Sequence, residues 1–181
     1  IPFEKFAIFI FHPVSSELDK LKNQIEQIVD VLLNSKDNFI VIYQNNDEGS
    51  DIILNELKKI RKNLRFKLYP SLRFQYFLCV MKNSKYIIGN SSAGVREAEV
   101  YGIPAIDIGS RQRNRYKNKD IIHVEPNKMK IQNAIKDIQK KRIKSKSSFG
   151  GVLNSSERFY KILKSSDIWR ISHQKQFIDL N

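Results

Sequence analysis

Apolar residues fill positions 6–11 without a break, and a run with no polar alternation belongs to a strand covered on both faces. The pattern then changes period. Leu18, Leu21, Ile25, Ile28, Val29 and Leu32 recur at three- and four-residue spacing, which predicts a helix for which Ser15-Ser16-Glu17 offers caps. The same exchange of periods continues: residues 39–43 read as a strand, 45–50 as a loop, 52–61 as a helix, and 66–69 as a short strand ended by Pro70. Residues 74–82 read as a short aromatic-rich helix, 86–89 as a fourth strand, 93–101 as a helix closed by Gly102, and 104–108 and 121–124 as two further strands. Strands alternating with helices predict an α/β fold with a doubly wound parallel sheet, whose ligands sit at the carboxyl ends of the strands. Beyond it, residues 145–156 read as a Ser/Gly-rich loop and 157–164 as a helix. Residues 1–165 are expected to make one Rossmann-like domain, and 166–181 an amphipathic tail bearing the single tryptophan, Trp169. A chain that opens Ile1-Pro2 without methionine reads as a segment of something longer.

Composition narrows the classes. The 181 residues, 41% hydrophobic and 28% charged, suit a globular domain and exclude a disordered chain. No apolar run approaches the ~18 residues that a spanning helix needs, so no membrane partner is expected. The formal net charge of +13 raises the question of a polyanion. Most of the excess lies in residues 111–119 and 128–146. In the second stretch, lysines alternate with Met129, Ile131, Ala134, Ile135 and Ile138 at helical spacing, the mark of a solvated helix face; nucleic acid is not expected as a partner. The lone Cys79, within the apolar run 77–81, excludes an intrachain disulfide and a cysteine metal cluster. It is expected to be a buried thiol in a reducing, cytoplasmic compartment. No metal-ligand cluster is visible.

Small residues and hydroxyls gather where the fourth strand gives way to the next helix, in Gly89-Asn90-Ser91-Ser92-Ala93-Gly94-Val95-Arg96-Glu97. Open backbone N–H groups and the helix dipole at such a turn favour a phosphate. Ser91 and Ser92 add hydroxyl donors, Ala93 and Gly94 keep side chains out of a ligand's way, and Glu97, one turn on, is placed to accept from a ribose diol. On these residues alone a plain serine cap fits as well. Arg111 follows the strand end at 106–109, beside the same crevice, and its planar fork suits phosphate. Taken singly, His12 reads as readily as a structural histidine, and Phe77 as a core aromatic.

The run 89–97, then Gly102-Ile103-Pro104, then Ile108-Gly109-Ser110-Arg111-Gln112-Arg113-Asn114-Arg115, closely resembles the hydrolysing UDP-N-acetylglucosamine 2-epimerases of the sialic-acid pathway. The likeness extends from His12-Pro13 to about residue 167. It implies the C-terminal half of a GT-B fold, two Rossmann-like domains with a UDP-sugar between them, the N-terminal domain being absent here. It implies that Ser91 and Ser92 hold the diphosphate in a turn that includes Gly94, that Glu97 binds ribose, and that Arg111 and Asn45 contact UDP. His12 then matches a catalytic histidine at the edge of the sugar-diphosphate site, and Phe77 lies on the helix that abuts the uracil. The implied reaction eliminates UDP to leave a C1–C2 unsaturated sugar, then adds water to give the free 2-epimer, with no cofactor or metal. The acid/base carboxylates of such enzymes lie mostly on the N-terminal domain, so this fragment alone is expected to bind UDP weakly and not to turn over. The full-length enzyme is expected to be a homo-oligomer. A GT-B glycosyltransferase and a basic polyanion-binding module are the competing classes. The chain departs from the family at Phe149-Gly150-Gly151-Val152-Leu153-Asn154-Ser155-Ser156, where a Tyr-Gly-Asp-Gly stretch is usual.

Overall fold

A computed structural model describes residues 2–113, 115, 118–141, 143–145 and 155–170. Six strands, β1 (Ala7–Ile10), β2 (Phe39–Ile42), β3 (Phe66–Tyr69), β4 (Ile87–Gly89), β5 (Ala105–Ile108) and β6 (Ile121–Val124), form one parallel sheet in the order β3-β2-β1-β4-β5-β6. Each lies within one residue at either end of its sequence-predicted span. This is the doubly wound order of a Rossmann-like domain.

Successive strand residues point to opposite faces, and both faces are covered. On one, Ala7, Phe9, Phe39, Val41, Ile88, Ile106 and Ile108 pack against Leu21, Ile25, Ile28 and Leu32 of α1 (Leu18–Asn34), Ile53 and Leu57 of α2 (Ser50–Leu57), and Ile131 and Ile135 of α5 (Lys128–Ile138). On the other, Ile8, Ile10, Ile40, Ile87 and Ala105 meet Met81 of α3 (Phe74–Lys82) and Ala98 of α4 (Glu97–Val100). That double cover is why residues 6–11 show no polar alternation. Truncating a fully buried contact such as Ile25→Ala costs about 2–5 kcal/mol, transfer and cavity together.

Local chemistry modifies four expectations. Ser15–Glu17 forms a 3-10 turn ahead of α1, and no side chain there caps the helix; Glu17 turns instead to Ser110 and Gln24. The helix expected over 52–61 is α2 followed by a 3-10 turn, Lys58–Ile60. The one expected over 93–101 is a 3-10 turn, Ser92–Gly94, and then the short α4. Cys79 is exposed, not buried: α3 buries fully only Met81, and five consecutive apolar residues on a helix cannot all face one sheet. The lysines of α5 lie in water, as a solvated face requires. Among the described residues no helix is long and apolar enough to cross a membrane.

The chain divides into two compact units, Ile1–Lys146 and Ser147–Asn181. The second unit contains α6 (Ser155–Lys164) and α7 (Ser166–Trp169), with the Trp169 Nε1–H donating to the Leu163 carbonyl at 2.9 Å. Positions 149–154 of the divergent loop, and the expected tail beyond 170, lie outside the described residues.

Candidate functional site

The chain leaves β1 toward β2 and β3 but leaves β4 toward β5 and β6, so the loops after these two neighbouring strands diverge and open a crevice. A cleft of about 370 Å³ occupies it, walled by His12, Gln44, Asn45, Ser71, Leu72, Phe77, Ser91, Ser92 and Arg111, among others. A larger cleft, about 460 Å³, lies around Asp37, toward the amino ends of the strands. Its chemistry is already spent: the Asp37 carboxylate accepts from Lys85, from Tyr86 Oη at 2.7 Å and from Gln139 Nε2 at 3.2 Å, tying strand starts together.

Asn90 crosses the switch point. Its Oδ1 accepts from the His12 backbone N–H at 2.7 Å while its Nδ2 donates to the His12 carbonyl at 2.8 Å. Its own N–H donates to the Ile10 carbonyl at 3.1 Å. The following residues turn sharply: Ser91 Oγ accepts from the Ala93 N–H at 3.3 Å, and the N–H groups of Ser91 and Ser92 open a 3-10 turn that has no preceding turn to supply acceptors. Arg111 arrives from the exit of β5, where Gly109 adopts φ of +88° to swing the chain over. Its Nη1 donates to the Asn90 carbonyl at 3.2 Å, and the neighbouring Gln112 donates to the same oxygen at 2.9 Å.

Burial sets the charge states. The His12 pKa is lowered to about 4, first by desolvation and then by Arg111, with Asp47 opposing, so the ring is neutral near pH 7. The Asn45 N–H points to His12 Nδ1 at 3.4 Å, which leaves Nδ1 the acceptor and puts the proton on Nε2. Burial and the nearby Arg115 pull the Arg111 pKa down against Asp47 and Asp107, yet a guanidinium remains cationic at any physiological pH. Among the described residues no carboxylate lines the cleft. Serine hydroxyls, unclaimed N–H groups, an imidazole N–H and a guanidinium together favour an anion with several oxygens. Among the described residues no group of His, Cys, Asp and Glu is arranged to hold a metal ion.

Of the residues singled out from the sequence, His12, Asn45, Phe77, Ser91, Ser92 and Arg111 meet in this cleft. Gly94 does not: a Cβ there would sit 3.5 Å from Ala105 Cβ and Ile87 Cγ2, so it faces the sheet. Glu97 stands one turn beyond the serines with a buried Oε2 that has no protein donor. Arg113 and Arg115 are exposed. Sequence reasoning missed Gln44, whose Nε2 donates to the Ser50 carbonyl at 2.7 Å while its Oε1 is buried and unpartnered. It also missed the side chains of Asn90 and Gln112, both 1% exposed, because their partners are far away in sequence.

The family model for UDP-N-acetylglucosamine 2-epimerase matches residues 1–164. A UDP-N-acetylglucosamine 2-epimerase of Neisseria meningitidis is 41% identical across the whole of this chain, which corresponds to 48% of that protein. A hydrolysing UDP-N,N'-diacetylbacillosamine 2-epimerase of Legionella pneumophila is 27% identical over 91% of the chain and 44% of its own length. Among solved structures, the UDP-GlcNAc 2-epimerase of Methanocaldococcus jannaschii, in complex with UDP-GlcNAc and UDP, superposes with a TM-score of 0.70 at 21% identity, over 88% of this chain and 46% of that one. The chain thus spans about half the length of the curated relatives it matches. Its fold is one Rossmann-like half of a GT-B architecture, and the chain belongs to the UDP-N-acetylglucosamine 2-epimerase family.

Proposed function

We propose that this chain is the UDP-binding half of a hydrolysing UDP-N-acetylglucosamine 2-epimerase. One observation carries the reading: a cleft at the β1/β4 switch point presents only donors and neutral groups, with two serines, Arg111 and a neutral His12 converging on a space for a diphosphate. In this proposal Ser91, Ser92 and their N–H groups bind the diphosphate, Glu97 accepts from the ribose hydroxyls, and Asn45 and Phe77 flank the nucleoside. The first chemical step removes the sugar C2 proton to a base outside this chain, while the C1–O bond breaks and its electron pair passes to the diphosphate of UDP. Arg111 and the His12 Nε2–H stabilise that developing charge. Water then adds across C1–C2 to release the 2-epimer.

The hydrolysing subtype has support from the Legionella relative, which bears that description. In the test, full-length protein is incubated with UDP-N-acetylglucosamine and the products are separated. Equal amounts of free N-acetylmannosamine and UDP are expected. UDP-N-acetylmannosamine with no free sugar would overturn the hydrolytic assignment, and a glycosidic product would overturn the epimerase reading. The 181 residues alone are expected to bind UDP weakly and to produce neither product. We also take the full-length protein to be a homo-oligomer that works in the cytoplasm, where the exposed, unpaired Cys79 stays reduced.

A further inference from the structure

The groups assigned to the diphosphate come from three separate segments: His12 leaves β1, Ser91 and Ser92 leave β4, and Arg111 leaves β5. A diphosphate is held tightly only if these stay within about half an ångström of one geometry. Strand pairing sets the three segments side by side, and Asn90 joins their exits from beneath.

Neither Asn90 nor Gln112 lines the cleft, and each is 1% exposed. The Asn90 amide grips both backbone groups of His12, at 2.7 and 2.8 Å. Its carbonyl accepts from Arg111 and Gln112, at 3.2 and 2.9 Å. It is itself the residue before the serine turn. If Asn90 were only a helix cap, its Oδ1 would accept from the N–H groups of that turn; Ser91 Oγ fills that role instead, accepting from Ala93. Gln112 makes a costly commitment for one bond, since its Oε1 is buried without a partner. Arg111 therefore sits between two anchored neighbours, Ser110 hydrogen-bonded to Glu17 and Gln112 hydrogen-bonded to Asn90.

The geometry points to Asn90, backed by Gln112, as the positioning residue of the UDP site, setting the spacing of His12, the serine turn and Arg111 without touching the ligand. This inference rests on the UDP reading above.

The test uses full-length protein with Gln112→Leu and Asn90→Asp, measuring UDP affinity by calorimetry, kcat and KM for UDP-N-acetylglucosamine, and Tm. Gln112→Leu removes a half-unsatisfied amide, so its Tm is expected to hold or rise while UDP affinity falls roughly 5- to 10-fold. Its kcat falls as well, because charge on the departing UDP is stabilised less well. The substitution Asn90→Asp keeps the acceptor for the His12 N–H but sets a carboxylate against the His12 carbonyl. It is expected to weaken UDP at least ~10-fold relative to wild type at pH 8, and the gap is expected to narrow as acid protonates the new carboxyl. Combining Gln112→Leu with Arg111→Lys should cost less than the product of the separate losses, because both act through one guanidinium. Wild-type UDP affinity and kcat in Gln112→Leu, or fully multiplicative losses with Arg111→Lys, would overturn the positioning role while leaving UDP binding intact. Failure of the wild-type protein to bind UDP would overturn both readings.

Discussion

Replacing Gly89 by alanine tests how the crevice is built. Gly89 ends β4 at φ of +135°, in register with Ile10 of β1. A Cβ there would lie 1.8 Å from the Ile10 carbonyl oxygen and 2.7 Å from its carbon, both backbone atoms that cannot rotate away. Ordinary C···O contacts lie near ~3.3 Å, so the strands must part by about 1.5 Å at this level. The same oxygen accepts from the Asn90 N–H at 3.1 Å, so parting them also breaks that bond and strains the Asn90–His12 pair. A left-handed alanine costs ~1–3 kcal/mol, overpacking a further ~1–3, and each lost hydrogen bond ~0.5–1.5. The total, about 2.5–7.5 kcal/mol, rivals the stability of a whole domain. Gly109→Ala is the control: its φ is +88° but no atom lies within 4 Å of the added Cβ, so only the backbone term of roughly 1–3 kcal/mol remains. Urea denaturation of the two variants beside wild type reads the difference, expected as a midpoint roughly 2 M lower for Gly89→Ala. Equal midpoints for the two variants would refute the reasoning that the close β1/β4 approach at Ile10 leaves no room for a side chain at position 89.

Three further outcomes follow from the site. The folded-state pKa of His12 is depressed to about 4 from 6.5, so its neutral burial favours the fold fully above pH 6.5, and that contribution is lost as pH falls from 6.5 to 4. With solvent at the cleft mouth screening part of it, the loss is on the order of 2 kcal/mol; denaturation at pH 7.5 and 4.5 should show it in wild type and much less of it in His12→Gln. Arg111→Lys replaces a fork by a point charge and should weaken UDP roughly 10-fold in calorimetry with Tm nearly unchanged; equal affinity would remove Arg111 from the diphosphate contacts. Glu97→Gln should leave stability level or slightly raised, since Glu97 Oε2 has no protein donor, yet should erase most of the preference for UDP over its 2'-deoxy analogue. An unchanged preference would show that the carboxylate does not meet the ribose.

Much of this was legible because the chain punctuates its strand ends. Pro13 follows His12, Gly89 lies just before the serine turn and Gly109 just before Arg111, so the ends of the apolar runs mark where His12, the serines and Arg111 leave the sheet, while their roles, like those of Asn45 and Phe77, came from the family resemblance. Doubly wound topology then brings those ends together without any long-range knowledge. What stayed hidden depends on contacts between distant positions. Asn90 lies 78 residues from His12 and 22 from Gln112, and its sequence context spells an ordinary cap. Glu17 looked like part of a helix start and went instead to Ser110, 93 residues on. Cys79 looked buried because an apolar run was read as a buried segment, although α3 is a nine-residue helix that covers one face only. Gly94 falls within the phosphate-turn motif, but a Cβ there would make ordinary contacts with Ala105 and Ile87 on the sheet side.

Whether a diphosphate occupies the cleft between the exits of β1 and β4 is decided by a crystal structure of the full-length protein with UDP. Diphosphate oxygens are expected within hydrogen-bond reach of the Ser91 and Ser92 hydroxyls or N–H groups and of the Arg111 guanidinium, with His12 Nε2 facing them. UDP bound at the exposed arginines 113 and 115 or along the lysines of α5, with the switch-point cleft empty, would contradict that placement.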